Sequence, residues 1–293
     1  MLKVAITLAA LAALPGAAFA QISDGAQPPI EKREKRTDAP PISAYKIILV
    51  GDSTMAPGSG WASAFCAYHV KSNIACLNMG RGGRSTRSYQ AEGSWKIALG
   101  EAAVAGYAKK YVLIQFGHND QSTKAERWTD LNTDFQSNLR QMVTDVRAAG
   151  AVPVLVTPLS RREFRDGKLN NTLVAWADAV RKIGVEMKAP VIELNRDSAK
   201  AVEQLGAVES MKLAMAEPLP EEVAAGKAGT TLRPRPAPES PPASTLPKTG
   251  PRGRIVQKFD YTHVGEAGAK AFAKIVAYDL AIAVPELSSQ LLP

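Results

Sequence analysis

Five short apolar runs, at residues 45–50, 74–78, 111–116, 152–157 and 190–194, alternate with longer stretches whose apolar residues recur at helical spacing. The helical stretches cover residues 61–70, 132–149 and 172–187; another begins near Asp197, and the last spans about 265–283. This alternation leaves few ways to fold. The runs are too short for buried helices and nearly unbroken in apolar character, as strands covered on both faces are. Parallel strands need crossover connections, which the intervening helices supply. The expected class is therefore α/β: a three-layer α/β/α sandwich around a five-stranded parallel sheet, of flavodoxin-like type. At 293 residues, with 45% apolar and 22% charged, the chain suits one such domain, and neither wholesale disorder nor a multi-span membrane protein fits.

The domain is expected over residues 44–285, between flanks of different character. Met1-Leu2-Lys3 is a cationic start, residues 4–14 are almost wholly apolar, and Ala18-Phe19-Ala20 has the small-x-small form of a signal-peptidase site. The apolar run falls short of the ~20 residues that span a bilayer. Residues 1–20 therefore read as a signal peptide, and the mature chain is expected in a bacterial periplasm or outside the cell, with no membrane span. Residues 21–43 read as a flexible lead-in and 286–293 as a tail, and the chain is expected to be a monomer.

One stretch interrupts the domain. Residues 216–251 hold nine of the twenty prolines and few large apolar side chains, so they cannot bury enough surface to offset their ordering entropy. A disordered or loosely held insertion is expected, or alternatively a flexible basic arm for an anionic polymer. The net charge is +8, and +7 without residues 1–20. Between residues 221 and 258 seven basic residues face three acidic ones, so over half of the excess sits here. Acidic polysaccharide, nucleic acid and anionic membrane all attract such charge. Charge alone does not choose among them, and no nucleic-acid partner is expected. In an exported protein Cys66 and Cys76 can pair or stay as two buried thiols.

The chemistry gathers where predicted strands end, the edge at which parallel sheets bind ligands. Four stretches lie there: Gly51-Asp52-Ser53, Gly80-Arg81-Gly82-Gly83-Arg84-Ser85, Gly117-His118-Asn119-Asp120 and Asp260-Tyr261-Thr262-His263. A serine hydroxyl becomes a nucleophile only when a base takes its proton, and the base is oriented by a carboxylate. His263, with Asp260 three residues before it, suits that pair, and Ser53 suits the nucleophile. Ester hydrolysis also needs donors for the oxyanion. The Ser53 and Gly83 backbone N–H groups and the Asn119 side chain are the candidates. Walker and dinucleotide glycine patterns are absent, as is His-Glu-x-x-His, and three histidines with two cysteines make a zinc cluster hard to build. His69 reads as a helix residue and His118 as a loop-shaping one.

In order and spacing these stretches resemble the four marker blocks of the SGNH (GDSL) hydrolases, whose Ser, Gly, Asn and His fall here on Ser53, Gly83, Asn119 and His263, with Asp260 completing a triad. The resemblance covers roughly residues 46–284 outside the insertion. Met55 stands where the α/β-hydrolase pattern Gly-x-Ser-x-Gly needs its second glycine. Gly51-Asp52-Ser53-Thr54-Met55-Ala56, Gly83-Arg84-Ser85-Thr86-Arg87-Ser88, Phe116-Gly117-His118-Asn119-Asp120 and Thr157-Pro158-Leu159-Ser160-Arg161-Arg162 resemble the rhamnogalacturonan acetylesterase branch. That resemblance implies the SGNH hydrolase fold, a cofactor-free and metal-free Ser-His-Asp mechanism, and removal of acetyl groups from acetylated pectic polysaccharide. The insertion just before Asp260 departs from the pattern and bears on the substrate cleft. Acetylxylan, wall glycan, lipid or thioester substrates are the other enzymatic readings, and a non-catalytic carbohydrate-binding protein is the reading from another class. Arg87, Arg161 and Arg162 read either as contacts to uronic-acid carboxylates or as loop anchors.

Overall fold

The computed structural model describes residues 42–232 and 258–292. The expected signal peptide, all but the end of the expected lead-in, and residues 233–251 of the expected insertion lie outside them. In chain order the elements are β1 (Tyr45–Gly51), α1 (Ala62–Tyr68), β2 (Ile74–Asn78), α2 (Thr86–Ala91), α3 (Ser94–Ala103), β3 (Lys109–Gln115), α4 (Asp134–Ala148) and β4 (Val152–Val156). There follow a short hairpin of β5 (Phe164–Arg165) and β6 (Lys168–Leu169), then α5 (Val174–Glu186), β7 (Val191–Ile192), α6 (Leu194–Glu209), α7 (Pro220–Lys227) and α8 (Glu266–Ala283). No helix among the described residues is long and apolar enough to cross a membrane.

The main sheet has the order β2-β1-β3-β4-β7 with every pair parallel, the expected five-stranded α/β arrangement. Alternation along each strand feeds two cores. Ile47, Leu49, Tyr111, Leu113, Val154 and Val156 pack with α1, α6 and α8 on one face. Ile48, Val50, Val112, Ile114 and Leu155 pack with α3, α4 and α5 on the other. Because both faces are covered, polar alternation is absent and the strands read as continuous apolar runs. The strand order reverses direction between β1 and β3, and the helices that follow them, α1 and α4, pack on opposite faces, which opens a crevice beyond the strand ends. Gly51 and Gln115, the last residues of the two strands, are paired there.

One expectation differs from the structure, and two features, the packing of the tail and two short helices, go beyond what was expected. The first part of the proline-rich stretch is ordered: Pro220 begins α7, where its missing N–H leaves no helix bond unmade. Gly226 lies so close to α6 and the turn after it that a Cβ would come 2.7 Å from the Met211 methyl group. Thr231 N–H then donates to Phe164 at 3.0 Å, fastening the segment to the hairpin. The tail is packed as well, since Leu292 N–H donates to His69 at 2.9 Å and the His69 ring meets the Leu292 carbonyl at 2.9 Å. Helices α2 and α3 were not expected, because their apolar residues are too few to set a helical period.

Candidate active site

Ser53 stands two residues beyond β1 in a turn that its neighbours lock. Asp52, fully buried, accepts from the Thr54 N–H and hydroxyl at 2.8 Å each, closing an Asx turn. Thr54 Oγ1 accepts from Gln115 at 2.5 Å, and Gln115 accepts from the Trp61 indole at 2.8 Å. The other Asp52 oxygen lies 3.4 Å from Nδ1 of buried His118. A polar chain thus runs beside Ser53 from the start of α1 to the loop after β3. Burial pushes the Asp52 carboxyl up, but His118 and the Thr54 donors outweigh it and hold it below the usual carboxylate range. Close approach explains one glycine: a Cβ on Gly60 would meet the Thr54 carbonyl at 2.1 Å.

The glycine-rich turn after β2 folds over Ser53. Arg81 N–H donates to Gly51 at 2.9 Å, and a Cβ on Gly82 would lie 3.8 Å from that of Ser53. Gly83 has φ +77°, a left-handed backbone that glycine adopts without strain. Ser85 then caps α2 by accepting from Ser88 N–H, in a reciprocal capping box.

The third loop is tied to the second. Asn119 donates from Nδ2 to the Arg84 carbonyl at 3.1 Å, which commits one of its two amide hydrogens. Asp120 accepts from the Thr86 N–H at 3.0 Å, the Thr86 hydroxyl at 2.6 Å and the Thr129 hydroxyl at 3.1 Å, and its second oxygen takes the Gly117 N–H at 3.1 Å. Burial pushes the Asp120 carboxyl up to about 6 despite these donors, and the nearby Asp52 charge adds to the rise.

The fourth stretch forms a turn before α8. Asp260 Oδ2 lies 2.7 Å from His263 Nδ1, while Oδ1 accepts the Thr262 and His263 N–H groups at 2.8 and 2.7 Å. Burial pushes the Asp260 carboxyl up, but the His263 ring and these backbone donors prevail and lower it. Ser59 joins this turn to the first: its hydroxyl donates to the Ser53 carbonyl at 2.7 Å, and its own carbonyl accepts from Val264 N–H at 3.0 Å. Buried Arg162 braces the same turn, donating from Nη2 to the carbonyls of Asp260 and His263 at 2.9 and 2.7 Å.

The five candidates therefore lie on four loops that touch one another, all half-buried amid fully buried Asp52, His118 and Asp120. An oriented imidazole, a serine at a strand end and clustered N–H donors together suit acyl transfer. Arg162 is an anchor, with no open face for a sugar carboxylate, and Arg87 is paired with Asp134 at 2.8 Å. Ser59 carries no motif of its own in the sequence, and the one signal for Asp120 is its place in Gly117-His118-Asn119-Asp120. Among the described residues no three His, Cys, Asp or Glu side chains group as metal ligands would.

Comparison with known proteins identifies the family. The GDSL-like Lipase/Acylhydrolase family model matches residues 49–210. The chain is 35% identical over 176 residues to the rhamnogalacturonan acetylesterase RhgT of Bacillus subtilis, covering 57% of this chain and 72% of that protein. It is 30% identical over 162 residues to the probable rhamnogalacturonan acetylesterase YesY of the same organism, covering 53% and 72%. The crystal structure of YxiM from Bacillus subtilis superposes with a TM-score of 0.58 at 22% identity, over 83% of this chain and 57% of that one, a likeness of fold.

Proposed function

Because the chain belongs to the GDSL-like lipase/acylhydrolase family, we propose that it is a serine esterase that removes acetyl groups from acetylated pectic polysaccharide of the rhamnogalacturonan type. One observation carries the mechanism. The Asp260 carboxylate meets His263 Nδ1 at 2.7 Å while backbone N–H groups hold its other oxygen. The imidazole is thus fixed in the tautomer whose Nε2 is a base. The two relatives named as rhamnogalacturonan acetylesterases support the substrate.

The reaction is a two-step acyl transfer. His263 Nε2 takes the Ser53 hydroxyl proton as Oγ attacks the acetyl carbonyl carbon. The Ser53 and Gly83 N–H groups and the free Asn119 amide hydrogen hold the oxyanion. As the tetrahedral intermediate collapses, the carbon–oxygen bond to the sugar breaks and His263 returns the proton to the departing hydroxyl. Water then attacks the acetyl-enzyme, again giving its proton to His263, and acetate leaves with Ser53 reprotonated. Residues 1–20 act as an export signal, so the mature enzyme works in a bacterial periplasm or outside the cell; fractionation of expressing cells tests this.

Acetate release by the purified mature chain and by Ser53→Ala tests the function. The substrates are acetylated rhamnogalacturonan, acetylxylan and a short-chain aryl acetate. Release from the pectic polymer that vanishes in Ser53→Ala supports the reading. Release from acetylxylan or aryl acetate alone keeps the serine mechanism and overturns the substrate. Equal behaviour of wild type and Ser53→Ala on all three overturns the esterase.

A further inference from the structure

A cation lies directly on the oxyanion turn. A Cβ built on Gly83 would come within 3.2 Å of Arg127 Nη2 and 3.3 Å of both Cζ and Nη1. Three near-equal distances mean that the guanidinium covers the glycine with its flat face. The glycine next to it, Gly82, faces Ser53.

The backbone that carries this guanidinium is held in place, while the guanidinium itself has one loose ion pair and no hydrogen bond. Arg127 and Trp128 N–H groups both donate to the Lys124 carbonyl at 2.9 Å, and Thr129 N–H donates to the Asp120 carbonyl at 3.0 Å. The turn is therefore built onto the loop that carries Asn119. Its one ion pair among the described residues is to its neighbour Glu126, 3.9 Å from Nε and on a side chain 66% exposed. The guanidinium donates no hydrogen bond to any described residue. Other arginines of these loops are committed: Arg84 to Glu92 and the Gly82 carbonyl, Arg87 to Asp134, Arg161 to the Thr172 hydroxyl and Arg162 to the triad turn.

We propose that Arg127 determines substrate specificity by pairing with the carboxylate of an acidic sugar close to the acetylated residue, so that the enzyme selects uronate-bearing polymers over neutral ones. The inference rests on the esterase reading above and extends it to a named contact. The acetyl group is uncharged and the oxyanion has its own donors, so the leaving polymer is what offers this cation a hydrogen-bonding carboxylate, which Glu126 at 3.9 Å does not. A planar guanidinium presents two parallel N–H groups to a carboxylate, a fit that a lysine ammonium lacks. At 31% side-chain exposure the pair would be only partly screened.

The test compares kcat/KM on acetylated rhamnogalacturonan oligosaccharides with that on the same oligosaccharides after reduction of their uronic carboxyls. Wild type should prefer the carboxylate form about tenfold or more, mainly through KM, with the preference shrinking as salt rises. Arg127→Gln should bring the ratio to within about twofold, and Arg127→Lys should keep part of it. Because the ratio comes from one preparation, a partly folded variant does not distort it. If Arg127→Gln lowers both substrates alike, or keeps the wild-type ratio, the proposal falls. Wild-type activity on both forms without preference removes the uronate contact alone. Activity on aryl acetate but on neither polymer removes the pectic reading and this contact with it.

Discussion

Arg162 donates from Nη2 to the His263 carbonyl at 2.7 Å although 101 residues separate them in the chain. The same nitrogen reaches the Asp260 carbonyl at 2.9 Å, and Arg162 N–H accompanies it by donating to Tyr261 at 2.8 Å. A buried guanidinium thus holds the backbone that presents Asp260 and His263. Burial lowers its pKa to about 10, against the pull of Asp260 the other way.

Arg162→Lys keeps a charge but cannot hold both carbonyls at once. It should reduce kcat on aryl acetate at least about tenfold, the loss expected for one charged hydrogen bond, with KM little changed. Steady-state kinetics checks this, and the His263 Nδ1 proton resonance reports whether the ring has lost its fixed contact. Unchanged kcat and resonance would show that the brace does not position His263.

Asn119→Ala removes one proposed oxyanion donor and its bond to the Arg84 carbonyl. Turnover should fall ~10²–10³-fold, and a loss below about tenfold would remove Asn119 from the mechanism.

Asp120 carries a pH signature. Its carboxyl is raised from 3.8 to about 6 in the folded protein, so folding favours the protonated form. The stability it contributes is complete below pH 3.8 and is lost as pH rises through about 6. Asn has no such titration. The stability gap between wild type and Asp120→Asn should therefore narrow between pH 4 and 6, by up to about 3 kcal/mol. Denaturant titrations across that range measure it, and a constant gap contradicts the shift.

Cys66, in α1, and Cys76, in β2, form a disulfide with Cα atoms 5.5 Å apart, closing a loop of ten positions. Removing it should cost about 2–3 kcal/mol through the freedom restored to the unfolded chain. Thermal unfolding of Cys66→Ala/Cys76→Ala should fall by roughly 5–10 °C. An unchanged Tm would mean that the bridge adds nothing to stability.

Much of the fold was legible because its signals are local. Continuous apolar runs at Ile47–Val50 and Val112–Ile114 mark strands covered on both faces, and motifs just beyond them fall at one edge of the sheet by geometry alone. Asp260 and His263 could be paired on paper since a three-residue turn brings carboxylate and imidazole together. Helix α7 was missed because proline content suggested disorder, while the Gly226 approach to Met211 and the Thr231 bond to Phe164 depend on partners far along the chain.

The sequence by itself determined the alternating α/β order, the four loops that carry polar chemistry and the presence of two cysteines able to pair. Only the tertiary structure decided that they do pair and which arginine serves which purpose. Periodicity and motif spacing describe a residue's neighbours within a few positions. The environment of a guanidinium is set by groups within about 4 Å of it. Arg162 meets backbone carbonyls from about a hundred residues away, and Arg127 rests on a glycine 44 positions earlier. Charge type was written in the sequence, but burial and partnership arose from packing.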